Sequence, residues 1–249
     1  MPYRFFKAIE NYQYSVADVI GVQTLANQPY FMDWSLLPDR QVETLQNWLA
    51  EAPDVGCSIS VQNTSLAGRK IFVYAGNMGI AQGMDVLLDL AESLTNRSDI
   101  GFLFIGRGSD AQRLRTEASA RELANVLFYD EIEPSEIPGL YAQCHVGLVS
   151  LDSRHKTHNI PGKFLSYMQC GLPVLANINP GNDLLDLIRD EQVGRVSTEP
   201  SIDSLTQLAL ALADEIVLDS EIKSRCKGLA ARLFSPEAAV KQIVRALQV

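Results

Sequence analysis

The residues best suited to chemistry lie in one basic stretch of a chain that is otherwise acidic. The chain has 249 residues and a formal net charge of −9 at pH 7. Residues 152–163 reverse that sign, because three cationic side chains face one carboxylate there: Arg154, Lys156, Lys163 and Asp152. The pattern "IPGKFLSYMQC" predicts a helix that begins at Pro161-Gly162, with Lys163 in its first turn. Since a cation at a helix N-terminus is unfavourable unless an anion shares the site, the sequence indicates a bound phosphate.

Two histidines belong to the same stretch. His155 and His158 flank Lys156, and this setting makes them candidates for contact with a ligand. His145 stands alone, and a lone histidine is usually structural or solvated, so it is given no role.

The elements that must position these residues alternate regularly from residue 71 onward. Six short apolar runs cover residues 71–76, 101–106, 126–129, 146–151, 173–177 and 194–196. Helical patterns lie between them, and three helical pieces follow residue 202, with breaks near Asp219 and at Ser235-Pro236. Continuous apolar strands that alternate with helices are typical of β-α-β units. The sequence therefore predicts an α/β fold, a Rossmann-like parallel sheet with helices on both faces.

Glycine-rich turns follow the first two strands, at the edge where an open parallel sheet binds its ligands. In "AGNMGIAQG" (75–83), Gly76 and Gly79 would let backbone N–H groups approach an anion. In "IGRGSD", Arg107 could reach a phosphate, although an exposed structural arginine fits equally well. Tight β-α turns also use glycine for geometry alone, so neither turn by itself predicts a ligand.

Two later loops carry hydrogen-bond acceptors. "YDEIEPSEIPGLY" (129–141) could meet a nucleobase through Glu131 and Ile132, but its composition favours a solvated acidic loop in which Pro134 begins a helix. In "INPGNDLLDLI" (178–188), Asn182 and Asp183 lie at a helix start. Asp183 either favours that helix terminus or bonds a sugar hydroxyl, and the sequence leaves both open.

Composition argues against several classes of function. An acidic chain is a poor nucleic-acid binder, because phosphate binding needs a basic stripe. Four widely spaced cysteines without a C-x-x-C pair argue against a zinc site and for reduced thiols in the cytosol. No apolar run approaches the ~18 residues of a membrane span, and "MPYRFFKAIENYQ" lacks the apolar region of a signal peptide. A cytoplasmic location is expected.

The first 67 residues follow a different pattern. "YRFFKAIENYQYSV" predicts a helix and "ADVIGVQ" predicts one strand, while residues 27–70 predict a mixed connection. One helix and one strand cannot form a core alone. They are expected to be either the tail of another α/β domain or an N-terminal decoration on the main sheet, and the pattern leaves both open.

Five segments, in order, resemble the C-terminal donor-binding domain of the GT-B glycosyltransferases of family 4: "YAGNMGIAQGMDVLLDL", "FLFIGRGSD", "NVLFYDEI", "LYAQCHVGLVSL" and "IPGKFLSYMQCGLPVLANI". The resemblance covers about residues 68–233. It is closest to bacterial transferases of cell-surface polysaccharide synthesis (O-antigen or capsule), including those that move N-acetyl-fucosamine-type sugars. It implies a nucleotide-sugar donor, usually UDP-linked, transfer with retention, and no essential metal or other cofactor.

The resemblance also implies roles for single residues. Lys163 corresponds to the lysine that binds the donor diphosphate, and Lys163 and His158 are the expected catalytic residues. Many members carry two glutamates eight positions apart, and the matching positions here are His158 and Ser166. Many also carry an arginine and a lysine in the loop after the first strand, where this chain has Asn77 and Gln82. The ribose and diphosphate contacts are therefore expected to be made differently, through Arg154, Lys156 and Arg107.

The resemblance implies a division into domains. Residues 68–233 would form the donor-binding domain, 1–67 a remnant of an N-terminal domain with its linker, and 234–249 the C-terminal crossover helix. Family enzymes bind a sugar or lipid-linked acceptor across two domains, so this chain alone is expected to be inactive. The full enzyme is expected to touch the inner face of the cytoplasmic membrane. The apolar faces of helices 4–15 and 235–247 are expected to pack together, within one chain or across a homodimer.

Two alternatives stay open beside the transferase. One is a nucleotide-sugar binding module without turnover, which a missing acceptor domain favours. The other is a GT-B-fold sugar-nucleotide epimerase. An epimerase would need acid and base carboxylates in the site, and the absence of glutamates at positions 158 and 166 weighs against it.

Overall fold

The computed structural model describes residues 2–32, 41–152, 154 and 159–247. The site predictions for His155, Lys156 and His158 lie outside these residues. Within them, the chain forms one six-stranded sheet and a separate two-stranded sheet.

The N-terminal residues form the smaller sheet. Helix α1 (Pro2–Ser15) leads into strand β1 (Val19–Val22), which pairs in parallel with β2 (Gln41–Thr44), and the short helix α2 (Pro29–Met32) lies between them in sequence. The predicted helix and strand are confirmed, but the prediction of a connection over Gln41–Thr44 was wrong. The segment "QVET" is short and mostly polar, so no apolar run marks it as a strand.

The six apolar runs form the main sheet. Its strands are β3 (Lys70–Ala75), β4 (Ile100–Ile105), β5 (Val126–Tyr129), β6 (Val146–Ser150), β7 (Val174–Asn177) and β8 (Gly194–Ser197). They lie in the order β5-β4-β3-β6-β7-β8, and every neighbouring pair is parallel. The predicted α/β class and parallel sheet are confirmed.

Side chains of the central strands alternate between two apolar layers. On β3, Ile71 and Val73 belong to one layer, and Phe72 and Tyr74 belong to the other. Because helices cover both faces, nearly every position of such a strand is buried. This is the physical reason that the strands read as continuous apolar runs.

Helices cover both faces of the sheet. The layer that contains Tyr74 includes α3 (Asp85–Ser93), α4 (Ala111–Ala120) and α8 (Ile202–Leu218). The other layer includes α5 (Ile137–Tyr141), α6 (Gly162–Gln169), α7 (Leu184–Asp190) and α9 (Ile222–Leu233).

The last helix is α10 (Pro236–Ala246), and the Ser235 hydroxyl caps it by accepting from the Ala238 N–H at 3.1 Å. In the described part of the chain, no helix is long and apolar enough to span a membrane.

The apolar faces of the two terminal helices are exposed. Phe5 and Tyr12 of α1 are 64% and 69% exposed, and Val240 of α10 is 57% exposed. Helix α1 instead meets α2, where the Tyr14 and Phe31 rings pack edge to face at 4.9 Å. Within the described residues of one chain, these two apolar faces therefore do not cover each other, and packing across a homodimer stays a prediction.

Candidate functional site

A cavity of about 590 Å³ lies at the carboxyl ends of β3, β4 and β5, beside the first turns of α6. Parallel strands bring the turns that follow them to one edge of the sheet, which is why residues distant in sequence meet here. Seven predicted site residues line the cavity: Gly76, Asn77, Arg107, Glu131, Ile132, Lys163 and Ser166. Ile105, Ile137 and Tyr141 add an apolar wall.

Lys163 reaches this cavity from the first turn of α6. Its Nζ donates a hydrogen bond to the Tyr74 hydroxyl at 2.6 Å and lies 3.9 Å from the centroid of the Tyr74 ring. A Cβ placed on Gly76 would lie 3.9 Å from Nζ, so the ammonium is close to the backbone of the turn after β3. Within the described part of the chain, Lys163 forms no ion pair with a carboxylate.

Burial lowers the pKa of Lys163 to about 7, from a usual value of 10.5. Near neutral pH the side chain is therefore only partly charged, and a bound anion would raise its pKa by stabilising the ammonium. Burial also raises the pKa of Tyr74, so the phenol stays neutral. The charge of Lys163 is consequently left for a ligand in the cavity.

Two glycine turns pack against each other beside the ammonium. The Met78 N–H donates to the Arg107 carbonyl at 2.7 Å, which ties the turn after β3 to the turn after β4. Gly106 has a φ of 138°, and a Cβ there would lie 2.0 Å from the Gly76 oxygen. Gly108 is similar, with a Cβ that would lie 2.2 Å from the Met78 oxygen. Both positions therefore require glycine.

Gln82 stabilises the first of these turns from within. Its Oε1 accepts from the Gly79 N–H and from Asn77 Nδ2, both at 3.0 Å. The Gly79 amide is thus engaged inside the turn. The Asn77 N–H has no partner among the described residues, so it is available to a ligand. Donor contacts through Gly79 and Gln82 stay predictions.

Arg107 and Glu131 form an ion pair at the cavity, with Arg107 Nε 2.8 Å from Glu131 Oε2. Their side chains are 81% and 55% exposed, so the pair is well solvated and contributes little to stability. Both side chains can therefore turn towards a ligand at low cost. The loop continues into the helical turn Pro134–Glu136, where the sequence predicted a helix start.

Besides Gly79 and Gln82, three predicted donor-binding residues of the described chain are absent from the cavity lining: Arg154, Asn182 and Asp183. Arg154 pairs with Asp152, with the charged atoms 2.6 Å apart. Asp183 Oδ2 accepts from the Ala26 N–H at 3.0 Å, which links α7 to the N-terminal segment. Asn182 is buried at the start of α7. These contacts are structural, and the donor-binding roles of all three residues stay predictions.

The sequence analysis missed Tyr74, Gly106 and Gly108. A signal for Tyr74 was present, because it carries the one polar side-chain atom of the run "IFVYAG", and a buried hydroxyl needs a partner. The signal for the glycines was the G-x-G in "IGRGSD", which was read only for its arginine. Among the described residues, no three His, Cys, Asp or Glu side chains group as metal ligands would.

Comparison with solved structures identifies the class of this fold. Anabaena Alr3699/HepE, solved in complex with UDP-glucose, superposes with a TM-score of 0.72 at 17% identity, covering 93% of this chain and 64% of that chain. The fold is that of a Rossmann-like domain of GT-B glycosyltransferases.

The family follows from the sequence match. Residues 58–227 match the model of the family described as Glycosyl transferases group 1. This match covers more than half of the chain, so the chain belongs to the glycosyl transferases group 1 family.

Two relatives are bacterial glycosyltransferases by name. WbjE of Pseudomonas aeruginosa, named a probable glycosyltransferase, is 24% identical over 200 residues, covering 77% of this chain and 48% of WbjE. WcaI of Escherichia coli (strain K12), provisionally named a colanic acid biosynthesis glycosyl transferase, is 28% identical over 128 residues, covering 48% of this chain and 28% of WcaI. The matched region thus spans about half of WbjE and less of WcaI.

Proposed function

We propose that this chain binds a UDP-linked sugar as the donor-binding part of a retaining glycosyltransferase of bacterial cell-surface polysaccharide synthesis. The donor diphosphate would lie between Lys163, the Asn77 N–H and the first turn of α6. The nucleoside would lie between the Arg107 turn and the Glu131 loop, with Ser166 near the ribose.

One observation carries this proposal: a partly buried lysine lies in a cavity of an acidic chain and has no carboxylate partner among the residues that the structure describes. Removing a charge from water is costly unless it is paired. A diphosphate beside Nζ would supply that pairing. Backbone N–H groups of a glycine turn and of a helix N-terminus favour the same negative charge.

The relatives support the donor class and the pathway. HepE was solved with UDP-glucose, which favours a uridine nucleotide for this chain. WcaI carries a name from colanic acid biosynthesis, which favours a polysaccharide product.

Lys163 would act on the leaving group. As the bond between the sugar and the diphosphate breaks, negative charge develops on the phosphate oxygen. Lys163 Nζ and the nearby backbone N–H groups are already oriented, so they can stabilise that charge without reorganising. Because the resemblance implies an acceptor bound across two domains, we expect this chain alone to bind the donor and to transfer little sugar.

The test compares two lysines on opposite edges of the sheet. Lys163→Met removes the cavity cation, and Lys70→Met removes a partly buried lysine at the first residue of β3, away from the cavity. We expect Lys163→Met to weaken UDP-glucose binding roughly 10- to 100-fold, the range for a hydrogen bond to a charged group. Lys70→Met should change it less than about twofold. Calorimetric titration measures both.

Three results would count against the proposal in different ways. Equal affinity of wild type and Lys163→Met would remove Lys163 from the site. No binding of UDP-glucose, UDP, GDP or ADP to the wild-type chain would contradict a nucleotide site altogether. Conversion of a UDP-sugar without any acceptor would favour an epimerase instead.

A further inference from the structure

Tyr74 lies beside the cavity, between the turn after β3 and the first turn of α6. Its ring is fully buried on β3, and its hydroxyl is at the carboxyl end of that strand. The hydroxyl donates to the Asn77 carbonyl at 2.6 Å and accepts from Lys163 Nζ at 2.6 Å. One oxygen atom thereby joins the turn after β3 to the first turn of α6.

The two bonds of this hydroxyl have fixed directions. The phenol has a single proton, and that proton is directed to the Asn77 carbonyl, so its oxygen can only accept from Lys163. An ammonium has three N–H groups, and one of them is used on Tyr74. Two therefore remain for an anion. The nearby ring face adds a cation–π contact that also favours the charged lysine.

Among the described residues, the other charged or titratable side chains that line the cavity form no hydrogen bond with Lys163. Arg107 and Glu131 are bonded to each other, and Tyr141 is buried in the wall. Within the described residues, Tyr74 is the hydrogen-bond partner of Lys163 Nζ.

We propose that Tyr74 is the positioning residue of the diphosphate site, where its hydroxyl holds the Lys163 ammonium beside the Asn77 turn. This inference rests on the proposed function and deepens it. Without the hydroxyl, the long lysine side chain would lose its fixed direction, and the ammonium would no longer be linked to the Asn77 turn by a shared hydrogen-bond partner.

The test uses two tyrosines that differ in what their hydroxyls touch. Tyr74→Phe removes only the oxygen between Lys163 and Asn77. Tyr167→Phe is the matched control, because Tyr167 is equally buried and its hydroxyl contacts the Val73 and Leu148 carbonyls instead. Each variant is measured by melting temperature, by titration with UDP-glucose, and by the pKa of Lys163 in the ligand-free protein, read by NMR after ¹³C-methylation of the lysines and assigned with Lys163→Arg.

We expect Tyr74→Phe to weaken UDP-glucose binding roughly tenfold, because the bond it removes involves a charged donor. The pKa of Lys163 should fall further in that variant, since a hydrogen bond to the ammonium is lost. Tyr167→Phe should lower the melting temperature while leaving affinity and the pKa of Lys163 nearly unchanged.

An unchanged pKa of Lys163 in Tyr74→Phe overturns the positioning role, whatever the wild-type chain binds. Equal losses of affinity in the two variants also overturn it, because they would trace to general destabilisation. Failure of the wild-type chain to bind any nucleotide, with the expected fall in the pKa of Lys163 still seen in Tyr74→Phe, overturns the proposed function and leaves the hydrogen-bond coupling standing.

Discussion

The amino and carboxyl edges of the main sheet, meaning the two ends of its parallel strands, each have a lysine nearby. The two lysines have different partners. Lys70 begins β3, donates to the Ala213 carbonyl at 2.9 Å and lies 3.9 Å from the Asp99 carboxylate. Lys163 is at the other edge, where its described hydrogen-bond partner is the neutral Tyr74 hydroxyl. Among the residues that the structure describes, a carboxylate therefore pairs with Lys70 but none pairs with Lys163.

This difference separates the stabilising edge of the sheet from the binding edge. At the amino edge, charged side chains form ion pairs with each other, as in the bidentate pair of Arg97 and Asp99. At the carboxyl edge, Lys163 has no carboxylate partner in the described part of the chain, and it lies beside turns that require glycine. An unpaired buried charge costs stability, and proteins keep such groups where function needs them.

The largest expected effect comes from the glycines at the two ends of β4. A Cβ at Gly106 would lie 2.0 Å from the Gly76 backbone oxygen, and its φ is 138°. A Cβ at Gly101 would meet the side-chain ends of Leu66 at 3.0 Å and Arg69 at 3.3 Å, which can move. We expect Gly106→Ala to lower the free energy of unfolding by more than about 4 kcal/mol, and Gly101→Ala by about 1 kcal/mol.

Urea unfolding of both variants measures this contrast. Similar decreases in the free energy of unfolding for the two variants would mean that the turn after β4 can shift. The backbone at the carboxyl edge would then not be rigid. A Gly106→Ala variant that folds and still binds UDP-glucose normally would have the same meaning.

The sheet was predictable because each central strand is buried on both faces. "IGFLFI" of β4 reads as a strand for that reason, whereas "QVET" of β2 does not, since its one partner strand is outside the main core. Helix ends were predictable where local chemistry sets them, as at Ser235. The sequence thus carried the fold wherever burial or capping acts within one segment.

The sequence predicted which strand each site residue follows, but it did not predict which of these residues meet at the cavity. Residues after β3, β4 and β5 meet at the cavity, and Lys163 and Ser166 reach it from α6, which follows β6. Arg154, which also follows β6, and Asp183, which follows β7, do not line it. The bond between Lys163 and Tyr74 joins positions 89 residues apart. Strand order and such long-range contacts depend on tertiary packing, which local patterns do not encode.

A smaller effect is expected from pH. With its pKa lowered to about 7, Lys163 is charged below that pH and neutral above it in the free protein. The diphosphate of UDP-glucose keeps its charge and should bind the charged lysine, so affinity should fall as the pH rises. We expect a loss of about tenfold between pH 6.5 and 8.5. Lys163→Arg should remove most of this dependence, because arginine stays charged throughout.

Calorimetric titration across that pH range checks the expectation in both proteins. The same pH dependence in Lys163→Arg would assign it to another group. A flat profile in the wild-type chain would mean that Lys163 keeps its proton throughout, and that burial at this edge is less costly than the comparison with Lys70 implies.

The smallest effect is expected from two exposed ion pairs, one at each edge. Arg97 pairs with Asp99 at the amino edge, and Arg107 pairs with Glu131 at the cavity, both at 2.8 Å. Exposed pairs of this kind contribute about 0–1 kcal/mol to stability, so Arg97→Gln and Arg107→Gln should unfold almost as the wild type does.

The two variants should differ in their affinity for UDP-glucose. Arg107→Gln should weaken UDP-glucose binding by about two- to fivefold, as the loss of one solvated contact to the nucleotide would, and Arg97→Gln should leave it unchanged. If Arg107→Gln and Arg97→Gln bind UDP-glucose equally well, Arg107 does not contact the nucleotide. The binding site would then consist of Lys163, Tyr74 and the glycine turns.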